Sequence, residues 1–416
     1  MGKHFFKQTV KDIDVERQVV LVRVDYNVPL CSDGTIADDF RLVASLPTLE
    51  YLLERQCKLV LISHLGRPEG RDEKYSLAPV AARLAELLGR SVKFIDDCVG
   101  DKVKQMVRLT PCGSVILLEN LRFYKGEVEN SEEFARDLVQ STGANLFVQD
   151  GFGAVHRAHA STQAITLKLP SFAGLLLENE YSKITRSIEQ PARPLVAIIG
   201  GAKISDKVDL INRLIDKADK ILIGGAMANT FLKFKGYDVG KSVVEEDLEK
   251  IIREIYEKAA QKVGPDGVDD FLVLPRDVAV GTDTADDKQP RHEVTIDRIE
   301  EDDMALDIGS QTIDMFSREI KNGQTIIWNG PLGYSTIESF SYGSARTALA
   351  IASNKNAVSV VGGGDTADFV LDWGGGDNDS FTHISTGGGA SMELMSGKKL
   401  PGVESLLDAH GIGVLK

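Results

Sequence analysis

Short aliphatic runs alternate with amphipathic segments along the chain. In the first 190 residues the runs are Val19 to Val24, Leu59 to Ser63, Val92 to Ile95, Val115 to Leu118 and Leu146 to Gln149. Between them, apolar residues at helical spacing predict helices around Phe40 to Arg55, Leu77 to Leu88 and Ser131 to Gln140. Continuously apolar strands have no polar face to turn to water, so strands of this kind separated by helices predict a parallel sheet covered on both sides. The plan repeats at Leu195 to Ile199, Ile221 to Ile223, Phe271 to Leu274, Thr325 to Trp328, Val358 to Val361 and Phe381 to Ile384. The repetition is one of architecture and not of sequence.

Ala173 to Glu189 reads as one helix stopped by Pro191 and Pro194, because proline turns the residue before it away from helical backbone. It marks a domain boundary, and with 416 residues and 43% hydrophobic content each half can build its own core. The acidic stretch from Val280 to Asp303 reads as an irregular surface excursion. A formal net charge of -14 opposes nucleic-acid and anionic-membrane binding, so an anionic ligand needs a locally basic pocket. Cys31, Cys57, Cys98 and Cys112 form no CxxC pair, which predicts free thiols in a reducing compartment and no zinc site. The N-terminus MGKHFFKQTV lacks an apolar signal core and no run approaches a membrane span, so a cytoplasmic protein is expected. No feature argues for an oligomer, and monomer is the default.

Candidate chemistry collects directly after the strand-like runs. In RVDYNVP, Arg23, Asp25 and Asn27 stand at alternate positions, which a β-strand would aim at one face. SHLGRP supplies His64 and Arg67, NLRF supplies Arg122, HRAH supplies His156, Arg157 and His159, and Arg41 stands at the start of the first helix. Arginine forks bind carboxylate and phosphate oxygens bidentately, and the carboxyl ends of strands are where open α/β sheets bind ligands. HRAH also offers half of a metal site, but no third ligand is evident.

In the second half, glycines take the same places. AIIGGAKISDK carries Gly200, Gly201, Lys203 and Lys207, with Ser205 and Asp206 as candidate helix caps. Further glycines follow in GGAMANTF (Gly224, Gly225), WNGPLG (Asn329, Gly330, Pro331), GGGDTA (Gly362 to Ala367) and STGGGAS (Gly387 to Gly389). Strand ends nearly bare of side chains would let backbone amides surround a polyphosphate. Asp365 could cap its helix or bind Mg2+ accompanying the phosphates. GGGDTA also fits the dinucleotide pattern GxGxxA, but no acidic residue ends a following strand at the expected distance. GYDVGKS is one residue short of a Walker A loop, with Lys235 where its first glycine belongs, and the P-loop reading is rejected.

Taken in order, RVDYNVP, SHLGRP, NLRF, HRAH, GGAKISDK, WNGPLG, GGGDT and STGGGAS resemble the phosphoglycerate kinase family over the whole chain. The resemblance implies an α/β protein of two doubly wound, Rossmann-like parallel-sheet domains joined by an interdomain helix. It places a 3-phosphoglycerate-binding domain at 1–172, the helix at 173–190, a nucleotide-binding domain at 191–402 and a tail at 403–416 returning to the first domain. The activity implied is reversible, Mg2+-dependent phosphoryl transfer between 1,3-bisphosphoglycerate and ADP, giving 3-phosphoglycerate and ATP. By matching motif, Asp25, Asn27, Arg41, His64, Arg67, Arg122 and Arg157 would contact 3-phosphoglycerate. Gly201, Ala202, Lys203, Lys207, Gly225, Asn329, Pro331, Thr366, Gly387 and Gly388 would form the nucleotide side, with Asp365 on the metal and Arg41 and Lys203 on the transferring phosphoryl. Domain closure is expected, with Thr386 and the interdomain helix as hinge elements. Thr336 stands where the family commonly has a ribose-contacting glutamate, and Glu338 lies two residues on. The competing classes are a dinucleotide-dependent oxidoreductase and a non-catalytic anion-binding protein.

Overall fold

The computed structural model describes residues 5–286, 288–374 and 379–409. The chain divides into two compact units, residues 1–182 with 399–416, and residues 183–398. In the first, β1 (Val19–Arg23), β2 (Lys58–Ile62), β3 (Val92–Ile95), β4 (Val115–Leu118), β5 (Leu146–Gln149) and β6 (Ser171–Ala173) form a parallel six-stranded sheet in the order β3-β4-β2-β1-β5-β6. Alternate residues of its strands enter two separate cores. Val20, Val22, Leu59 and Leu61 pack with Leu42, Leu49 and Leu52 of α1 (Phe40–Glu54) and with Val80 and Leu84 of α2 (Ala78–Leu88). Leu21, Val60 and Ile62 pack on the other face with Val103 and Val107 of α3 (Asp101–Leu109), which is followed by the short α4 (Lys125–Val128). Phe134 and Leu138 of α5 (Glu132–Thr142) complete that second core.

Helix α6 (Leu175–Glu189) starts where the β6 strand ends and carries the chain across the division at Ser182 and Lys183. In the second unit the elements are β7 (Leu195–Ile199), α7 (Val208–Lys217), β8 (Lys220–Ile223), α8 (Gly225–Phe234), α9 (Glu249–Val263), α10 (Val268–Phe271) and β9 (Leu272–Val273), then β10 (Asp277–Gly281), β11 (His292–Thr295) and β12 (Met304–Ile308). They continue with α11 (Ser310–Asn322), β13 (Thr325–Asn329), α12 (Tyr342–Ser353), β14 (Val358–Gly362), α13 (Gly364–Trp373), β15 (His383–Ile384) and α14 (Gly389–Met395). A second parallel sheet has the order β15-β14-β13-β7-β8-β9. The register aligns Ile199, Ile223, Asn329 and Gly362 at its carboxyl edge, just as it aligns Arg23, Ile62 and Gln149 in the first unit. Both units are thus doubly wound α/β sheets, as the alternation of apolar runs implies.

Residues 399–409 lie in the first unit, starting ahead of position 403 where the sequence reading begins its tail. After α15 (Pro401–Glu404), Leu407 N–H donates to Ser171 O at 3.1 Å, and Lys7 Nζ donates to Leu406 O at 2.9 Å and Asp408 Oδ1 at 2.7 Å. Positions 410–416 of the expected tail lie outside the described residues.

Two local expectations need correction. Val280 to Asp303 is not wholly irregular: β11 joins β10 and β12 in a small antiparallel sheet over Val278, Val280, Ile299 and Ala305. The run escapes a sequence reading because His292 and Glu293 face solvent, which leaves no continuous apolar signal. Ser205 and Asp206 cap nothing, since α7 begins only at Val208 and Ser205 Oγ donates to Glu245 Oε1 at 2.5 Å.

The N-terminus of α6 is anchored by a buried carboxylate. Asp150 Oδ1 accepts from Leu176 N–H at 3.0 Å, and Thr48 Oγ1 accepts from Leu175 N–H at 2.9 Å. Burial pushes the Asp150 carboxyl up to about 7, against the opposing pull of Thr48 and of the Leu177 and Leu176 amides. A raised acid pKa stabilises the fold fully below its unfolded value of 3.8, and the contribution is lost as pH rises through about 7. Urea midpoints measured from pH 4 to pH 8 should therefore fall more steeply for the native chain than for Asp150→Asn, which has no proton to lose. Parallel profiles would remove Asp150 from the titration.

Candidate active site

The first unit places its polar residues at the ends of β1, β2, β4 and β5. Beyond β1, Asp25 Oδ2 accepts from Arg41 Nη1 at 2.9 Å, and Asn27 Oδ1 accepts from Gly66 N–H at 2.7 Å. After β2, His64 is 6% exposed, with Nδ1 3.1 Å from Arg23 Nη2 and 3.8 Å from Asp25 Oδ1. Arg122, after β4, donates to Gly66 O, while Asn120 holds Leu65 through both its carbonyl and its amide. Arg157, after β5, is exposed and its Nε meets His156 Nε2 at 3.1 Å. Arg67 is exposed on the same loop as His64. The structure therefore brings Asp25, Asn27, Arg41, His64, Arg67, Arg122 and Arg157 to one sheet edge.

Arg23 departs from the expected strand face. It is 1% exposed, and its guanidinium donates to Ser161 Oγ at 2.8 Å and to Val24 O instead of opening toward a ligand. The pleat does alternate, but Arg23 is still inside β1 and packs beneath the edge.

Like charges crowd this edge. Arg122 is lowered to about 10, first by burial and then by Arg23, Arg157 and Arg67. His64 is pushed well below its usual value by burial and by Arg23, Arg122 and Arg41, so it is neutral near pH 7. His159 falls to about 4 for the same two reasons. Mutual depression of this kind is relieved when an anion enters, because each cation then gains an opposite charge. In a protein of net charge -14, this edge is a local positive field for a small polyanion.

The second unit is built from glycine turns locked to one another. Gly200 N–H donates to Asn329 O at 3.0 Å, Gly201 N–H to Pro331 O at 2.8 Å, and Gly225 N–H to Leu332 O at 3.0 Å. These amides tie loop to loop, which corrects the expectation that they line a phosphate cradle. A Cβ on Gly200 would lie 2.1 Å from Pro331 O, and one on Gly225, at φ +65, would lie 2.5 Å from Gly201 N. Only glycine permits that approach.

A cavity of about 330 Å³ lies against Ala202, Lys203, Asp365, Thr366 and Gly388. The N-terminus of α13 opens onto it, so unpaired helix amides and the positive end of the dipole face any anion held there. Gly363, not Asp365, is the N-cap, and Asp365 makes no side-chain cap hydrogen bond; its carboxylate is exposed in the first helical turn. Thr366 Oγ1 accepts from Gly330 N–H at 2.6 Å, and Asn329 Nδ2 donates to Gly362 O at 3.0 Å. Gly387 is buried, with its N–H on Ser385 Oγ at 3.1 Å, and Gly388 is the residue of that pair that reaches the cavity.

The two lysines of the glycine turn differ in kind. Lys203 is exposed at the cavity wall. Lys207 Nζ donates to Gly200 O at 2.8 Å, Asn329 O at 3.1 Å and Asn329 Oδ1 at 2.6 Å. Burial lowers it to about 8, against the attraction of Asp365 and Asp206. A larger cavity of about 650 Å³ adjoins Gly201 and Gly225 and is walled by Val243, Leu306, Tyr334 and Phe369, a size and lining suited to a nucleoside. Thr336 lines it and Glu338 does not, since Glu338 opens a separate short turn at Glu338–Phe340.

Sequence reasoning missed Glu127 and Ser161. Glu127 Oε1 accepts from Ser161 Oγ at 2.6 Å, and Ser161 Oγ in turn accepts from Arg23 Nε. Glu127 sits between Lys125 and Glu129 in the chain and reads as part of a solvated charge run, whereas the fold buries it completely.

An arginine-lined anion edge in one α/β unit and a glycine-walled, nucleoside-sized cavity beside a helix N-terminus in the other define an enzyme of the phosphotransferase class. The family model described as Phosphoglycerate kinase matches residues 10–398. Phosphoglycerate kinase of Dictyoglomus turgidum is 47% identical over 405 residues, covering 97% of this chain and 99% of its own, and that of Pelotomaculum thermopropionicum is 45% identical over 403 residues, with coverage of 97% and 99%. The solved phosphoglycerate kinase of Coxiella burnetii is 36% identical with a TM-score of 0.81, covering 96% of this chain and 98% of its own. That of Pyrococcus horikoshii OT3 is 30% identical with a TM-score of 0.82 at the same coverages. The chain belongs to the phosphoglycerate kinase family. Its reaction is the reversible transfer of a phosphoryl group between 1,3-bisphosphoglycerate and ADP, giving 3-phosphoglycerate and ATP. The oxidoreductase and non-catalytic alternatives have no support in these matches.

Lys207→Met keeps the aliphatic stem but takes the ammonium donor from Gly200 O and Asn329 Oδ1, while Asn329 O keeps only Gly200 N–H. Stability of the second unit should fall by about 1–3 kcal/mol, read as a lower urea midpoint. An unchanged midpoint would mean that the ammonium contributes nothing to holding Gly200 and Asn329 together.

Proposed function

We propose that the first unit holds 3-phosphoglycerate through Asp25, Asn27, Arg41, His64, Arg67, Arg122 and Arg157. The observation that carries this reading is the meeting of Arg41, Arg67, Arg122 and Arg157 beside His64 at one sheet edge, where burial first and the neighbouring cations second depress Arg122 and His64. A phosphorylated carboxylic acid carries the charge and the oxygens that arginine forks match. His64, being neutral, offers a hydrogen-bond donor without adding to the repulsion.

The second unit, in the same reading, takes ATP or ADP. The nucleoside fits the cavity of about 650 Å³ and the phosphates lie toward the α13 N-terminus in the smaller cavity. Gly201, Ala202, Gly225, Asn329, Pro331 and Gly388 shape these walls, while Thr366 and Gly387 act from behind them. Asp365 suits Mg2+: it is exposed and free of a capping bond, and Mg2+ on a nucleotide takes most of its ligands from phosphate and water. Bound there, Mg2+ would neutralise charge on the nucleotide oxygens.

Phosphoryl transfer asks little covalent chemistry of the protein; it asks for alignment and charge stabilisation. Arg41 and Lys203 are assigned to the transferring group, and Lys207 to holding the nucleotide loops and balancing the phosphates. Transfer also requires water to be excluded from an acyl phosphate, so closure on binding both substrates belongs to this reading. The same reading has the protein act in the cytoplasm as a monomer.

A coupled assay of ATP consumption with 3-phosphoglycerate is the primary test; turnover that needs both 3-phosphoglycerate and Mg2+ is expected, and turnover indifferent to either contradicts the assignment. Lys203→Ala should lower kcat by roughly 100-fold or more with a modest change in KM, and near-normal kcat would take Lys203 out of the chemistry. Arg122→Ala should raise the Kd for 3-phosphoglycerate by roughly 10- to 100-fold, the worth of a charged hydrogen bond; calorimetry showing intact affinity would refute that role.

A further inference from the structure

Beneath the anion edge of the first unit runs a chain of buried contacts that links four of its loops. Glu127, on α4 after the NLRF segment, is fully buried. Its Oε2 accepts from Ser161 N–H at 3.0 Å and its Oε1 from Ser161 Oγ at 2.6 Å, while its backbone carbonyl accepts from Ala160 N–H at 2.9 Å. Three bonds thus fasten the segment that carries His156, Arg157 and His159. With its hydrogen given to Glu127, the Ser161 hydroxyl oxygen is left to accept, and Arg23 Nε donates to it at 2.8 Å. The far end of the same guanidinium, Nη2, stands 3.1 Å from His64 Nδ1.

The direction of that last bond is fixed by chemistry. A guanidinium donates and cannot accept, so His64 Nδ1 must be the bare, accepting nitrogen and the ring proton must sit on Nε2. Among the described residues Nε2 has no partner and is not one of the fully buried unsatisfied atoms, so its N–H remains available to a ligand. Arg23 itself is a charge almost wholly withdrawn from water, and of the two carboxylates that offset this, Glu127 acts more strongly than Asp25. Removing one partner from such a buried network leaves the other charge uncompensated. His159, whose Nδ1 lies 3.8 Å from Glu127 Oε1, is neutral and offers no substitute charge.

We infer that Glu127 is a positioning residue for the phosphoglycerate half-site: through Ser161 it holds Arg23, and Arg23 holds His64 as the Nε2–H tautomer that donates to substrate. Glu127 touches no substrate. It sets the donor state of one contacting residue and the position of the loop bearing another, Arg157. This rests on the assignment of 3-phosphoglycerate to the first unit, and the test separates the two.

Two variants are compared with the native chain: Glu127→Gln, which keeps shape but removes charge, and Ser161→Ala, which removes the bridging hydroxyl. Imidazole 15N shifts of His64 report the tautomer without any substrate. The native chain should show a bare Nδ1 and a protonated Nε2, and both variants should show a mixture of tautomers. In the coupled assay KM for 3-phosphoglycerate should rise about tenfold with kcat changed by less than about threefold, the pattern of lost ground-state positioning, and KM for ATP should stay unchanged. Ser161→Thr, which restores a hydroxyl, should recover much of the loss. If Glu127→Gln fails to fold, Ser161→Ala and its Thr counterpart carry the test alone. Native tautomer and native KM in folded variants overturn the inference, as does a fall in melting temperature with neither readout moved. A tautomer shift without any change in 3-phosphoglycerate KM contradicts instead the placement of that substrate beside His64.

Discussion

Parallel strand pairing is the constraint from which the site follows. When every strand of a sheet runs the same way and the register is level, every strand-to-helix turn emerges at one edge, and short loops from distant parts of the chain meet there. Arg23 stands level with Ile62 and Gln149 in the first sheet, and Ile199 with Asn329 and Ile223 in the second. His64, Arg122 and Arg157, spread over nearly a hundred residues of chain, become neighbours for that reason alone. So do Gly200, Gly225 and Pro331, each held within hydrogen-bonding reach of another turn.

What the two edges do with that proximity differs. The first gathers charge, and the cost of crowding cations is met by a small number of buried counter-groups: Asp25 on Arg41, and Glu127 on Arg23 by way of Ser161. The second gathers backbone. Its glycines remove the Cβ atoms that would hold the turns apart, and Lys207 clamps two of them. In the proposed reading one edge is preorganised for a compact anion through side chains, and the other for an extended polyphosphate through open space and a helix dipole. An enzyme whose chemistry is alignment and charge neutralisation needs little else.

The fold was legible because apolar strands buried on both faces leave an unambiguous trace. Val115 to Leu118, Leu146 to Gln149 and Leu195 to Ile199 carry the same limits in sequence and structure, and so does the edge strand Val92 to Ile95, although Lys93 there faces solvent. The β11 strand was not legible, because it is half exposed and pairs on the side of a small satellite core. Among site residues, the exposed cations could be read from their position after strands. Their supports could not: Glu127 looks like a surface acid, Arg23 looks like a ligand contact, and only burial tells them apart. The same holds for the two lysines of the glycine turn. Their spacing suggests a pair, whereas packing leaves Lys203 exposed and makes Lys207 a clamp. The backbone amides of Gly200 and Gly201 were likewise readable as a phosphate cradle, because sequence shows that a turn is bare but not which carbonyl opposes it.

The central claim is the division of labour, with the phosphorylated acid on the arginine edge and the nucleotide among the glycine turns. Amide hydrogen exchange measured with each substrate separately tests it most directly. 3-Phosphoglycerate alone should slow exchange in the loops around Asn27, Gly66 and Arg157 and leave the second unit unchanged. Mg-ADP alone should slow it around Ala202, Lys203 and Asp365 and leave the first unit unchanged. Protection of the same unit by both ligands, or of the units in the reverse order, would contradict the account.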